Sequence, residues 1–383
     1  MAQRVRTDWV LFTAILILVA AGMLVLWSAG SAIGQAKQGS SLHYPLRQLL
    51  WATGSLGLMM WLKSLDYRKL NRGLFVFPAV AGVLILLALV RSLPSQRWFH
   101  LGLANFQPSE FAKPVLAFFL AYLVAARANA INSRQYTLIP AAAVIGLLAG
   151  AVVGPDLGTA VVLALSAIVV FLVAGMEKRY LLLALLVGLA LFVHEVRDKP
   201  YRISRMFAWI NPSYSLLDSW PVRALNPSGS WKATLQLHAP TDNAKDHLEQ
   251  SLIAVGSGGL AGKGPMQSTQ KLLFLPEAHT DFIFAIWAEE YGLIGALLLL
   301  SLYLIIFWRG LRVFSQTPDL FGKYLALGVS LMFLIQALIN MSVVTGLFPT
   351  KGITLPLVSY GGSSFASSMI SLGLLQSVSD HSA

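Results

Sequence analysis

The chain has 383 residues, of which 56% are hydrophobic and only 12% charged. Soluble domains carry roughly a quarter charged residues, so this chain lacks the charged skin a soluble protein of its length needs. That excludes a soluble enzyme, a disordered chain and a nucleic-acid binder as first readings. The formal charge is +11, from 28 Lys and Arg against 17 Asp and Glu, and there is no cysteine. A disulfide framework, a thiolate metal site and a cysteine nucleophile are therefore ruled out.

A hydrocarbon core takes roughly 17–25 helical residues to cross. In chain order, the stretches 8–29, 47–62, 73–90, 108–126, 137–154, 158–174, 181–195, 282–308, 324–345 and 358–378 are candidate spans, the second and seventh being short for a full crossing. The first follows Arg4 and Arg6; its apolar run of ~20 residues exceeds a signal-peptide core and reads as an uncleaved anchor. Spans five and six are separated by Gly154, Pro155, Asp156 and Leu157, which predicts a tight return. With the N-terminus in the cytoplasm, thirteen Lys and Arg fall in inner loops and five in short outer loops. That positive-inside bias places both termini in the cytoplasm. It also places residues 196–281, the one long polar stretch, outside with nine basic residues. No internal repeat is visible. The expected fold is an all-α polytopic membrane protein: one domain over 1–383, ten transmembrane helices, and a long extracytoplasmic loop between helices 7 and 8.

Ionisable residues at membrane depth are costly and need a reason. Glu110 and Lys113 lie three apart in the fourth span, on one helical face; a structural ion pair and a substrate-shaping pair are both open. Gln107-Pro108-Ser109 just before them reads as a helix start with Ser as cap. Asp156 is placed to cap the sixth span, or to bind a cation or basic residue at the outer edge. Asp281 closes the long loop in Pro276-Glu277-Ala278-His279-Thr280-Asp281. Thr280 or Asp281 suits a helix cap, and a partly desolvated Asp281 suits a base; both readings stand. Glu289 and Glu290 lie about two turns deeper, and a buried pair with a basic partner is favoured over a proton path. Arg97-Trp98 in the outer loop suits an interface anchor, or contact with a phosphate or sugar. The glycine-rich stretch 256–264 fails the nucleotide P-loop pattern at Ser257 and Gly264, leaving a turn whose N–H groups approach a pyrophosphate. The segment 346–364, with its prolines and glycines between apolar spans, is irregular backbone that must be buried or line a cavity. His194-Glu195 lacks a second His at metalloprotease spacing.

Together, Gln107–Lys113, Pro155–Thr159, Gly256–Gly264, Lys271–Phe284 with Ala288–Gly292, and Gly346–Ser364 resemble the SEDS proteins (shape, elongation, division and sporulation), in the family's order. Pro349-Thr350-Lys351-Gly352-Ile353-Thr354-Leu355-Pro356 and Pro276–Asp281 look more like the division-type FtsW members than the elongation-type RodA members. The resemblance implies a peptidoglycan glycosyltransferase of the bacterial inner membrane that polymerises lipid II at the outer face. It implies Asp281 as the essential carboxylate, an important Glu110–Lys113 pair, and Trp98 near the cavity. It implies a class B penicillin-binding protein, an FtsI-like transpeptidase, as partner, with other divisome membrane proteins and no nucleic acid.

The candidate substrate-contacting set is Arg97, Trp98, Glu110, Lys113, Asp156, Lys263, Lys271, His279 and Ser359. Within it, Arg97, Lys263 and Lys271, or a divalent cation such as Mg2+ or Mn2+, would hold the leaving pyrophosphate. One departure from the family pattern is the ~37 residues between Asn211-Pro212 and Gln250-Ser251-Leu252, read as an insertion within 213–248. Two other classes compete with the enzyme: a lipid-precursor flippase, and a scaffold that only recruits a synthase.

Overall fold

The computed structural model describes residues 7–93, 97–101, 104–197, 200–210, 224, 228, 242–272, 275, 277–349 and 352–382. The expected insertion within 213–248 lies outside the described residues, apart from 224, 228 and the start of one helix.

The first helix, α1 (Trp9–Gln38), starts where the Asp8 side chain accepts the Leu11 N–H and stops at the left-handed Gly39. It is followed by α2 (His43–Ser64) and α3 (Gly73–Arg91). A short antiparallel hairpin, β1 (Phe99–Leu101) and β2 (Ala104–Phe106), then leads into α4 (Pro108–Ala126). A π turn over Arg134–Leu138 runs into α5 (Ile139–Val153), which returns tightly into α6 (Leu157–Val173). Next come α7 (Lys178–Arg197), α8 (Pro200–Ile210) and α9 (Asp242–Ser257). The chain closes with α10 (Ile283–Gln316), α11 (Leu320–Val344) and α12 (Gly362–His381).

Seven of these helices are long and apolar enough to cross a membrane, and α6 is a shorter apolar helix. The helical expectation needs three corrections. The loop before α4 is a two-stranded hairpin, because Phe99 and Phe106 pair across it, with ring centroids 6.3 Å apart. The stretch 196–281 is not uniformly loop: α8 and α9 lie in it, and α9 packs on the end of α11, where the Ser251 hydroxyl donates to the Val344 carbonyl at 2.8 Å. The seventh span is not short: α7 runs for 20 residues and is apolar enough to cross, whereas α2, at 22 residues, is not among the seven that are, because polar residues at its ends extend the helix but not its apolar run.

Of the seven long apolar helices, α4 and α11 are the most buried, and they pack against each other. Small residues let them approach: a Cβ on Gly328 would meet the Ala117 Cβ at 3.3 Å. The more polar α2 and α12 lie against one another, and α12 turns its serines inward. Ser363 donates to the Asn105 carbonyl, Ser367 to the Glu110 carbonyl, and Ser364 pairs with Thr354. On the periphery, α7 is exposed along nearly its whole length, as a helix facing hydrocarbon should be.

The long α10 breaks at Gly292, whose φ of 65° and ψ of −164° are non-helical. The break frees backbone groups that the glycine-rich stretch takes up. Lys263 and Gly264 N–H donate to the Glu289 and Glu290 carbonyls at 3.0 Å, and Leu293 N–H donates to the Gly259 carbonyl at 2.9 Å. Glycine is required there, since a Cβ on Gly292 would stand 2.4 Å from the Gly262 nitrogen.

Candidate active site

The site is organised by the irregular segment 352–361, which connects α11 to α12. Its backbone groups are buried and must be satisfied inside the protein. Polar side chains on α11 do this. Asn340 Nδ2 donates to the Ile353 carbonyl at 2.6 Å and to the Asp281 carbonyl at 2.9 Å. One turn earlier, Gln336 Nε2 donates to the Thr354 carbonyl at 2.8 Å. Ser359 accepts from Leu355 N–H at 2.7 Å and donates to the Thr280 carbonyl at 2.6 Å. The Ile353 side chain lies on the backbone of Gly158, where a Cβ would meet its Cγ1 at 2.4 Å. The segment is thereby held between the start of α6 and the loop carrying Asp281.

Asp281 sits at the joint before α10 and is half-buried. Neither it nor Thr280 caps that helix: Phe282 holds the cap position with no side-chain bond, and the Thr280 hydroxyl turns back to Glu277. Among the described residues no hydrogen bond or ion pair reaches the Asp281 carboxylate. Its Oδ2 presses on Gly352, where a Cβ would stand only 2.5 Å away. Burial pushes its pKa up to about 6; Arg97 opposes the rise, while Glu277, Asp156 and Glu110 add to it. The carboxylate is therefore unbonded, faces both charge signs, and titrates close to neutrality.

Around it, the other candidates fall into three groups. Asp156 caps α6 through Thr159 N–H at 3.1 Å, and its Oδ2 also accepts from Gln107 Nε2 at 3.1 Å and Arg97 at 3.3 Å. Arg97 in turn lies 5.9 Å from the Trp98 ring. The second group is Lys113, which bonds Glu110 and Gln336 at 2.6 Å each and is buried with Glu110. Through Gln336, this pair connects to the same 352–354 segment. The cap expected at Ser109 is absent, since Gln107 precedes α4 and bonds the Ser109 hydroxyl instead. The third group is aromatic: the buried His279 ring lies 4.7 Å from Tyr44 and 5.5 Å from Tyr360, tilted against both half-buried tyrosines.

Lys263 and Lys271 are committed elsewhere. Lys263 pairs with Glu289 at 2.5 Å, and Lys271 with Glu290 at 3.1 Å and the Ser28 hydroxyl at 2.7 Å. Glu289 also accepts from Thr269 N–H and Gln270 N–H. These lysines neutralise buried carboxylates at the α10 break. The glycine-rich N–H groups expected to approach a pyrophosphate are likewise spent on α10 carbonyls. Ser359 is 3% exposed, with both bonding directions of its hydroxyl used.

Sequence reasoning took Gln107 only as part of a helix start, and passed over Gln336, Asn340 and the contact at Gly352. The first three carry a readable signal: polar amides in otherwise apolar surroundings, with Gln336 and Asn340 four apart on one face of α11. Among the described residues no group of three or more His, Asp or Glu is placed to hold a metal ion.

The family model described as cell cycle protein, covering FtsW, RodA and SpoVE, matches residues 8–383. Stage V sporulation protein E of Bacillus subtilis is 36% identical over 99% of this chain and 99% of its own length. The probable peptidoglycan glycosyltransferase FtsW of Hydrogenovibrio crunogenus is 38% identical over 95% of this chain and 89% of its own. A chain from a peptidoglycan synthase complex, solved in a study of how polymerization and crosslinking are coordinated, superposes with a TM-score of 0.70 at 27% identity, covering 97% of each chain. The Rod shape determining protein RodA of Thermus thermophilus superposes with a TM-score of 0.62 at 28% identity, covering 98% of this chain and 97% of that one.

Proposed function

This chain belongs to the FtsW/RodA/SpoVE family of cell cycle proteins, and on that premise we propose that it is a peptidoglycan glycosyltransferase that polymerises lipid II. The observation that carries the proposal is Asp281, a carboxylate without a hydrogen-bond or ion-pair partner among the described residues, whose pKa is lifted to about 6. Such a group is poised to accept a proton near neutral pH.

In this reading the 4-hydroxyl of an acceptor sugar attacks the anomeric carbon of a lipid-linked disaccharide. The new C–O bond forms as the bond to undecaprenyl pyrophosphate breaks, and Asp281 takes the hydroxyl proton. Direct displacement inverts the anomeric centre. The pyrophosphate leaves with its charge and needs no second carboxylate to activate it, unlike a glycosidase substrate. All three cations have carboxylate partners (Arg97 has Asp156, Lys263 has Glu289, Lys271 has Glu290), but Arg97 is the one that also acts on Asp281, and it is the cation for that charge. Trp98, beside Arg97, lines the approach. Glu110, Lys113 and Asp156 shape the cleft, and His279 and Ser359 support the loop from which Asp281 projects.

The same proposal extends to topology and partners. All ten predicted spans are helices, seven of them plainly apolar and long enough; we read ten crossings, one domain over 1–383, and both termini in the cytoplasm. Asp281 and the hairpin then share the outer face. An FtsI-like class B penicillin-binding protein and other divisome membrane proteins are the proposed partners, a reading supported by the likeness to a chain of a polymerising and crosslinking complex. The division role rests on the motifs at 276–281 and 349–356 and on FtsW relatives at 31–38% identity. The test is direct. Purified protein given lipid II, alone and with the transpeptidase, should make glycan polymer and release undecaprenyl pyrophosphate. No polymer in either case contradicts the proposal.

A further inference from the structure

Nothing in the chemistry of a general base explains why the Asp281 backbone is tied to a different helix. Asn340 does the tying. Its Nδ2 bridges two carbonyls, Asp281 at 2.9 Å and Ile353 at 2.6 Å, from a side chain that is 2% exposed. The residue whose carbonyl it holds, Ile353, follows Gly352, the residue against which the Asp281 carboxylate rests. Ile353 is itself seated on Gly158 at the start of α6. The Gly352–Asp281 contact is thus fixed from three sides: α6 below the segment, α11 through Asn340, and the loop before α10.

The amide is retained at a cost. Among the described residues its Oδ1 is buried without a hydrogen-bond partner, and an orphaned buried polar atom destabilises the fold. Gln336, four residues earlier, shows that a segment carbonyl can be satisfied without reaching Asp281. Ser359 ties the neighbouring Thr280 carbonyl to the Leu355 N–H, but Asn340 is the side chain that bonds the Asp281 carbonyl itself.

We propose that Asn340 is the positioning residue of Asp281, clamping its backbone to the 352–354 segment and so setting where the carboxylate sits against Gly352. The inference rests on the reading of Asp281 as the base. Loss of the clamp lets the segment and the loop part, which misplaces the carboxylate and admits water to it. The charged groups facing Asp281 (Arg97, Glu277, Asp156 and Glu110) are the same in the variants, so a change in its titration reports hydration and placement.

The test uses the full-length protein in lipid vesicles with lipid II as substrate. It compares wild type, Asn340→Ala, Asn340→Leu and Asp281→Ala across acid to neutral pH. The Leu variant keeps the branched shape of the side chain in the bundle while removing its hydrogen-bonding groups, so it remains informative if the Ala variant fails to fold. Both variants should lower kcat on the order of 100-fold, as a misplaced catalytic group does, with KM for lipid II changed less than about twofold. The acid limb of the rate should move from about 6 toward the ordinary carboxylate range. A folded Asn340→Leu protein with wild-type kcat and limb, or one whose loss lies wholly in KM, overturns the proposal. Polymer from Asp281→Ala would instead overturn the base reading, so the two failures are distinguishable.

Discussion

Replacing Gly352 by Ala moves the Asp281 carboxylate without altering its chemistry. The added Cβ would lie 2.5 Å from Oδ2, 3.4 Å from Cγ and 3.8 Å from Oδ1, whereas ordinary van der Waals contact begins at 3.4 Å. The carboxylate must therefore retreat by roughly 1 Å, on the scale where misplacement costs about 100-fold in rate, or ~2.7 kcal/mol in the barrier. Gly352 is not in the left-handed backbone region, so Ala adds no conformational penalty. The atom in its way is also the end of a side chain that can rotate. Stability should stay within ~0.5 kcal/mol of wild type. The assay is the initial rate of polymer formation from fluorescent lipid II, with thermal unfolding measured in the same detergent. A rate within about twofold of wild type, or a loss that only tracks the folded fraction, refutes the claim that this contact sets the reactive geometry.

Arg97→Gln removes the cation that restrains the Asp281 pKa. The rate requires the ionised carboxylate, so its acid limb should move above about 6; an unmoved limb contradicts the assignment. Lys271→Met leaves Glu290 buried and unpaired, which costs about 3–5 kcal/mol. A sharply lowered Tm with unchanged KM for lipid II is expected, and the reverse pattern would return Lys271 to substrate binding. Asp281→Asn should stabilise the protein near neutral pH. The folded pKa of about 6 lies above the ordinary aspartate value of 3.8, so burying the charged form costs stability. That cost is absent below 3.8, grows as pH rises, and is full above about 6. The gain in Tm should therefore vanish in acid, and a gain independent of pH would contradict the shift.

Much of the fold was legible because hydrocarbon enforces a simple pattern. The fourth span, read as 108–126, is the helix Pro108–Ala126, since Pro108 fixes its first turn and Arg127 ends its apolar run. The tight return at 154–157 followed from Gly, Pro and a capping Asp in four residues, and Asp156 does cap α6. The hairpin before α4 was not legible, because three-residue strands carry too few alternating positions to register as a pattern. Within the site, the Glu110–Lys113 pair could be read because both residues lie on one helix turn. The partners of Glu289 and Glu290 could not, because they come from a loop that joins α10 only through the backbone break at Gly292. Lys263 and Lys271 looked free for the same reason. The role of Gly352 was hidden in a motif rich in glycine and proline, where a turn was the simpler explanation. Gln336 and Asn340 were overlooked because attention to charge passed over uncharged amides, although an amide deep in an apolar helix also needs a partner.

The most direct test of the base assignment is polymer formation by Asp281→Ala, reconstituted with lipid II beside wild type and checked for an intact fold by thermal unfolding. A folded variant that makes no polymer, while wild type does, is the predicted result. A folded Asp281→Ala protein that still polymerises lipid II would contradict it.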